Sequence, residues 1–189
     1  MVRLVLAIAL LLAALTVSDE AKSDRWTDCT SDEPDRSIDG CTAIIKANLT
    51  SRLNRAIAYH NRGIAYLNKS KYEWAINDFT KAIKLKPEYA SAYAGRGKAY
   101  RRTGNYSQAI ADYTTAIKLK PGYVRAFYGR GLTHEDEPDY DLARRDYRKV
   151  LQLDPGHEKA KKALERLAKS ESRFFRGVIK DLRSAPESK

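Results

Sequence analysis

Cysteine and histidine are scarce in this chain, and each shortage removes a class of function. Two Cys in 189 residues cannot build a disulfide-stapled scaffold or a zinc site of four thiolates. Three His, scattered at positions 60, 134 and 157, do not make a His-based metal cluster. Ten Gly and six Pro are too few for a collagen-like or low-complexity chain. No nucleophile–base pair, phosphate-cradling loop or pair of carboxylates stands in a recognisable motif, so the residues indicate no enzyme, metal or cofactor. Asp136, Glu137, Asp139 and Asp141 form an acidic cluster that reads as a solvated turn.

What the chain does have suits a soluble globular protein of one domain with appendages: 43% hydrophobic and 31% charged residues. Lys and Arg number 35 against 24 Asp and Glu, a net charge of +11 that favours acidic partners or anionic surfaces and leaves the fold open.

Residues 1–18 read as an export signal, which predicts a periplasmic or secreted protein. Arg3 gives a short positive start, and Leu4–Val17 is apolar except for Thr16. A spanning helix needs about 20 apolar residues, so the run is short for an anchor. Thr16 and Ser18 offer small residues around a cut after Ser18, but not a clean A-x-A, and an uncleaved membrane anchor stays open as the alternative. No Cys follows the run to make a lipoprotein.

The strongest signal is internal repetition. Ala56–Tyr89, Ala90–Tyr123 and Val124–His157 align without gaps at a period of 34. Ala58-Tyr59, Ala92-Tyr93 and Ala126-Phe127 open the copies, followed by Arg62-Gly63, Arg96-Gly97 and Arg130-Gly131. Ala75, Ala109 and Ala143 come next, then Phe79, Tyr113 and Tyr147, and each copy closes with Pro87, Pro121 or Pro155. Spacings of 3 and 4 put the first set on one stripe of a first helix and the second set on one stripe of a second. Gly63, Gly97 and Gly131 each cost about 1 kcal/mol of helix propensity. That repeated cost predicts a repeated gain, close approach of the second helix at its Ala.

The pattern resembles the tetratricopeptide repeat, an all-α helix-turn-helix unit, over residues 56–157. The resemblance implies a right-handed solenoid whose concave groove binds peptides or protein segments. Tyr59, Tyr93 and Phe127 stand where Trp is usual in that family, and His134 replaces a Tyr. Residues 35–48, within an N-terminal segment spanning 19–55, read as a degenerate partial repeat: Cys41 and Ile44 fall at the second-helix aromatic and Ala positions of a copy beginning near residue 18. Residues 158–170 read as a solvating helix that caps the last copy, with Ala160, Ala163, Leu164 and Leu167 on one face. A signal, a Cys-bearing partial repeat and Tyr-rich copies together look like exported bacterial proteins of this family.

In the family, first-helix positions 2, 5, 6, 9, 12 and 13 line the groove. Carried over, the first copy offers Ile57, His60, Asn61, Ile64, Leu67 and Asn68, and the second Ser91, Ala94, Gly95, Lys98, Arg101 and Arg102. The third offers Arg125, Tyr128, Gly129, Leu132, Glu135 and Asp136. The expected groove is apolar at one end, basic in the middle and acidic at the far end. Lys98, Arg101, Arg102 and Arg125 would grip an acidic segment or a terminal carboxylate, since a guanidinium can make two hydrogen bonds to one carboxylate; a merely solvated basic face is the alternative. The family's chaperone-tail clamp asks for Lys, Asn, Asn, Lys and Arg where this chain has His60, Ile64, Gly95, Arg125 and Gly129, so that subtype is not expected.

Arg62, Arg96 and Arg130 recur in step with Asp78, Asp112 and Asp146, which predicts structural ion pairs. Cys29 and Cys41 would meet an oxidising compartment after export, so a disulfide is the preferred reading over free thiols. A regular hairpin sets Cys29 opposite a residue near 33–36, so the bond asks for an irregular 19–30 segment folded back on the helix at 35–48. Asn48, Asn68 and Asn105 open N-x-S/T sequons, which in a bacterium would carry nothing. The tail, residues 171–189, sets Phe174, Phe175, Val178, Ile179 and Leu182 among basic residues; it either extends the capping helix or makes a basic amphipathic helix for an anionic membrane surface. Nucleic acid is not an expected partner.

Overall fold

The computed structural model describes residues 24–47 and 50–184, with side chains described as far as residue 172. The expected signal and the Asn48 sequon's first residue lie outside the described residues. The described chain is all helix, with no strand among these residues. After α1 (24–29) come α2 (Pro34–Lys46), α3 (Arg52–Asn68), α4 (Tyr72–Leu85) and α5 (Ala90–Arg102). Then follow α6 (Tyr106–Leu119), α7 (Val124–Asp136), α8 (Tyr140–Leu153) and α9 (Glu158–Ser184).

Helices α3–α4, α5–α6 and α7–α8 pack as hairpins, one per 34-residue copy, and each hairpin packs on the next to form a solenoid. Local chemistry sets the helix starts. Pro34 opens α2, where a missing N–H costs nothing. The Ser51 hydroxyl accepts from the Asn54 amide, and the Asp139 carboxylate from the Leu142 amide. Position 15 of the first two copies takes the left-handed conformation that reverses the chain between paired helices, at Ser70 (φ 55°) and Gly104 (φ 77°).

The core is a row of small and aromatic side chains between the helices. Phe79, Tyr113 and Tyr147 are buried, and each packs with the Ala residues of its own second helix. The glycines make room for these rings rather than for the second-helix Ala as expected. A Cβ on Gly63 would lie 2.9 Å from the Phe79 ring and one on Gly131 2.8 Å from Tyr147. Only Gly97 faces its Ala, with the nearest atom the Ala109 carbonyl oxygen at 3.2 Å. The same rings reach the next copy: a Cβ on Gly95 would lie 2.6 Å from Phe79, and one on Gly129 2.5 Å from Tyr113.

The Arg–Asp ladder is the second framework. Arg62, Arg96 and Arg130 each donate two hydrogen bonds, at 2.7–2.9 Å, to Asp78, Asp112 and Asp146 of the same copy. Each guanidinium also donates to a Thr of the preceding unit, Thr42, Thr80 or Thr114. Aromatic faces flank it: Arg62 lies 5.6 Å from Tyr59 and 5.8 Å from Tyr66, and Arg96 repeats this with Tyr93 and Tyr100. Thr42 holds the place of Thr80 and Thr114, which ties the partial repeat into the register of the full copies.

Cys29 and Cys41 are joined by a disulfide, and both are fully buried. The segment before the bond is not irregular, as the hairpin argument required: residues 24–29 are helical. The short helix crosses α2 at Gly40, where a Cβ would lie 2.5 Å from the Cys29 amide nitrogen. That crossing brings Cys29 over Ser37 and Cys41 instead of its hairpin mirror, and the Ser37 hydroxyl donates to the Cys29 carbonyl.

At the other end Ala160, Ala163 and Leu167 of α9 are buried on the last copy. The helix then runs on to Ser184, so the boundary expected at 170/171 is not a structural break. No helix among the described residues is long and apolar enough to cross a membrane.

Candidate functional site

The first helices α3, α5 and α7 line the concave face, and a hollow with a cavity volume of about 730 Å³ opens along it. His60, Ile64, Leu67 and Asn68 form one wall, and Ser91, Ala94, Gly95, Lys98, Arg101 and Arg102 the floor. Arg125, Tyr128, Gly129 and Leu132 come from the third copy. Of the predicted groove residues, Ile57, Asn61, Glu135 and Asp136 do not line the hollow; Asn61 instead lines a smaller recess with Thr30, Asp32 and Pro34 of the N-terminal segment. Tyr113, Lys120, Tyr123, His157 and Lys159 also line the hollow and escaped sequence reasoning. Tyr113 is a second-helix core residue whose ring passes between Gly97 and Gly129 to the groove, and Lys120, Tyr123 and His157 sit in the inter-copy turns.

The expected acidic end does not face the hollow. Asp136 accepts from Arg101 Nε at 2.7 Å, a bond between the second and third copies. Glu135 accepts from the Tyr147 hydroxyl at 2.7 Å and from Arg166 of α9. Both carboxylates are therefore spent inside the protein, and the hollow is lined by Lys98, Arg101, Arg102, Lys120, Arg125 and Lys159 with no Asp or Glu. Lys98, Arg102 and Arg125 make no ion pair among the described residues. Arg101, by contrast, is already engaged, which removes it from the set of free gripping cations.

Aromatic pairs frame the two ends. The His60 ring stacks on Tyr89 with centroids 4.8 Å apart and meets Phe79 edge-on. Tyr128 packs on His157 at 4.9 Å. Burial, more than the nearby Arg125 charge, holds the His60 pKa below its ordinary value, although its hydrogen bond with Asn61 opposes this. Burial first, then the Glu135 carboxylate, raises the Tyr128 hydroxyl. No group of three or more potential metal ligands gathers among the described residues. The hollow thus joins a cationic floor to aromatic ends.

Tetratricopeptide repeat models match residues 56–89 and 95–158. No curated protein matches the chain. Among solved structures it is similar to the Arabidopsis OM64 TPR domain, at 30% identity and a TM-score of 0.61, over 63% of this chain and 98% of that one. It is similar to the second TPR domain of human RPAP3 in complex with the HSP70 peptide SGPTIEEVD (31% identity, TM-score 0.60, 62% of this chain and 98% of that one). The first TPR of Spaghetti (RPAP3) bound to the HSP90 peptide SRMEEVD is 26% identical, with a TM-score of 0.61, over 64% of this chain and 95% of that one. With the repeat register, the helix pairs and these likenesses in agreement, the chain belongs to the tetratricopeptide repeat family.

Proposed function

We propose that this protein is a non-enzymatic interaction module that holds an acidic peptide or protein segment in its concave groove and acts as an exported scaffold or assembly factor. The observation that carries the reading is the charge of the hollow: six Lys or Arg side chains line it and no carboxylate does. Low-dielectric walls concentrate such a field and draw in acidic chains. The likeness to domains solved with the acidic peptides SRMEEVD and SGPTIEEVD supports an acidic ligand. The clamp residues are absent here, so a chaperone tail is not the ligand we infer. Stacked helices hold the groove ready, and the flexible partner bears most of the ordering cost. Export is supported by the apolar Leu4–Val17 run and by a buried disulfide.

The test is affinity capture from the source organism's extract with the protein and with a Lys98→Glu/Arg102→Glu/Arg125→Glu variant, at two salt concentrations. A partner held by the protein, lost by the variant and released by salt is expected. A partner retained equally by the variant would sink the groove reading. Fractionation and intact mass test export, with cleavage after Ser18 expected.

A second reading rests on the unbroken α9. Its sequence beyond residue 170 alternates apolar and basic residues, which suits an anionic membrane surface. Co-sedimentation with anionic vesicles, abolished by deleting residues 171–189, is the outcome it requires.

A further inference from the structure

The three copies serve as one another's controls, and the middle one lacks a ring that both neighbours have and an acceptor that the third has. The first gap is a ring. At position 5 the copies carry His60, Ala94 and Tyr128, and at position 34 they carry Tyr89, Tyr123 and His157. The outer copies pair these as rings, at 4.8 and 4.9 Å. In the middle copy Ala94 has no ring to offer. Among the described residues Tyr123 makes no ring pair of this kind; it packs at the edge of the cluster that holds Ala94 and Tyr113, with the Lys120 ammonium 5.1 Å from its centroid.

The second gap is an acceptor. Tyr147 donates its hydroxyl to the Glu135 carboxylate, which Arg166 also holds. Tyr113 is the same position one copy earlier, and the place of Glu135 is taken there by Arg101, a donor that reaches away to Asp136. Phe79, the first copy's equivalent, has no hydroxyl to satisfy. Tyr113 is only 3% exposed, lines the hollow and makes no hydrogen bond through its hydroxyl among the described residues. Its oxygen lies beside Gly129, 2.7 Å from where a Cβ would stand. Arg101 and Arg102 are both close enough to act on it electrostatically. A donor in a positive surrounding, with no acceptor from the protein, is suited to an anion.

Resting on the groove reading above, we infer that the ligand fills both gaps: an aromatic side chain over Ala94 against Tyr123, and a neighbouring Asp or Glu carboxylate on the Tyr113 hydroxyl beside Arg102. The partner is thus an acidic segment with an aromatic residue a few positions from the carboxylate. Ala94 and Tyr113 set its specificity.

Selection of random 12-residue peptides on the full chain tests this, with the peptides displayed so that no terminal carboxylate is free. Selected peptides are then made with amidated C-termini, and their affinities read by fluorescence anisotropy. Peptides carrying an aromatic residue within a few positions of Asp or Glu are expected. Tyr113→Phe and Ala94→Tyr should each weaken them by about tenfold or more. A peptide with that Glu changed to Gln should bind the protein and the Tyr113→Phe variant equally. Each variant installs a residue the chain already accepts at the same repeat position, Phe79 or Tyr128, so folding is preserved and circular dichroism checks it. Selected peptides that lack the pair, or that both variants bind undiminished, overturn this inference and leave the groove intact. Failure to select any peptide overturns the groove reading and this inference with it.

Discussion

Arg101 of the second repeat and Asp136 of the third are joined across 35 residues of sequence, guanidinium to carboxylate, at the rim of the groove. The bond does two things at once. Asp136 is the last residue of α7, where a negative charge opposes the helix dipole, and Arg101 offsets it. The pair also fixes the separation of two groove walls while taking one cation out of ligand binding.

Asp136→Asn should therefore free Arg101 for the ligand. We expect tighter binding of an acidic peptide and a steeper loss of binding with salt, read by anisotropy. The pair is partly exposed, so a double-mutant cycle with Arg101→Gln should give a coupling of about 1 kcal/mol or less in stability. Unchanged peptide affinity in Asp136→Asn would mean that Arg101 does not reach the ligand.

The Arg–Asp ladder makes a larger prediction. Asp112 is buried and bound at both oxygens by Arg96, which also holds Thr80 of the preceding copy. Arg96→Met leaves a buried carboxylate without its counter-ion, and should cost about 3 kcal/mol in urea unfolding. Arg96→Met with Asp112→Leu should recover most of that loss, because the charge is removed along with its partner. Recovery would show that the ladder fixes repeat register more than it adds stability. Equal losses in the single and double variants would show the reverse.

These two ion pairs mark where sequence reading succeeds and where it stops. The ladder was legible because it recurs: Arg at position 7 and Asp at position 23 repeat three times, and chance does not repeat in step. The groove lining was legible for the same reason, since register assigns His60, Lys98, Arg102 and Arg125 to one face. Arg101–Asp136 occurs once, across two copies, and periodicity carries no trace of it. Glu135 was likewise read as a groove acid, because nothing in its own copy announces that Tyr147 and Arg166 consume it. Tyr113 was hidden differently. Its position reads as core, and only the two glycines beside its ring let that core residue surface in the groove. The crossing of α1 over Gly40 depends on one missing side chain, which a hairpin-mirroring argument does not weigh.

His60 makes stability depend on pH. Its folded-state pKa lies below 6.5, its ordinary value, chiefly because it is buried. Between these two values the unfolded chain binds a proton that the folded one refuses, so stability falls as pH drops through 6.5 and levels off below the folded pKa. Thermal melts from pH 7.5 to 5.5 should show the native protein losing more than His60→Phe, which keeps a ring against Tyr89. Parallel losses in the two proteins would remove His60 as the cause.

The disulfide should act locally. Cys29–Cys41 closes a short loop that pins α1 on α2, beside the first copy and away from the second and third copies that carry the groove cations. The cap nevertheless has its own tie to the first copy, through Thr42 and Arg62. Cys29→Ala/Cys41→Ala removes the closure and should cost about 2–3 kcal/mol. In a solenoid each unit leans on its neighbours alone, so the loss should not spread evenly. Hydrogen exchange should speed up most in α1 and α2, modestly in α3 and α4, and not at all in α7 and α8. Binding of a groove peptide should change little, because Lys98, Arg102, Tyr113 and Arg125 lie in the later copies. Uniform acceleration across all helices would instead show that the capped array unfolds as one cooperative unit, with the N-terminal cap as its keystone.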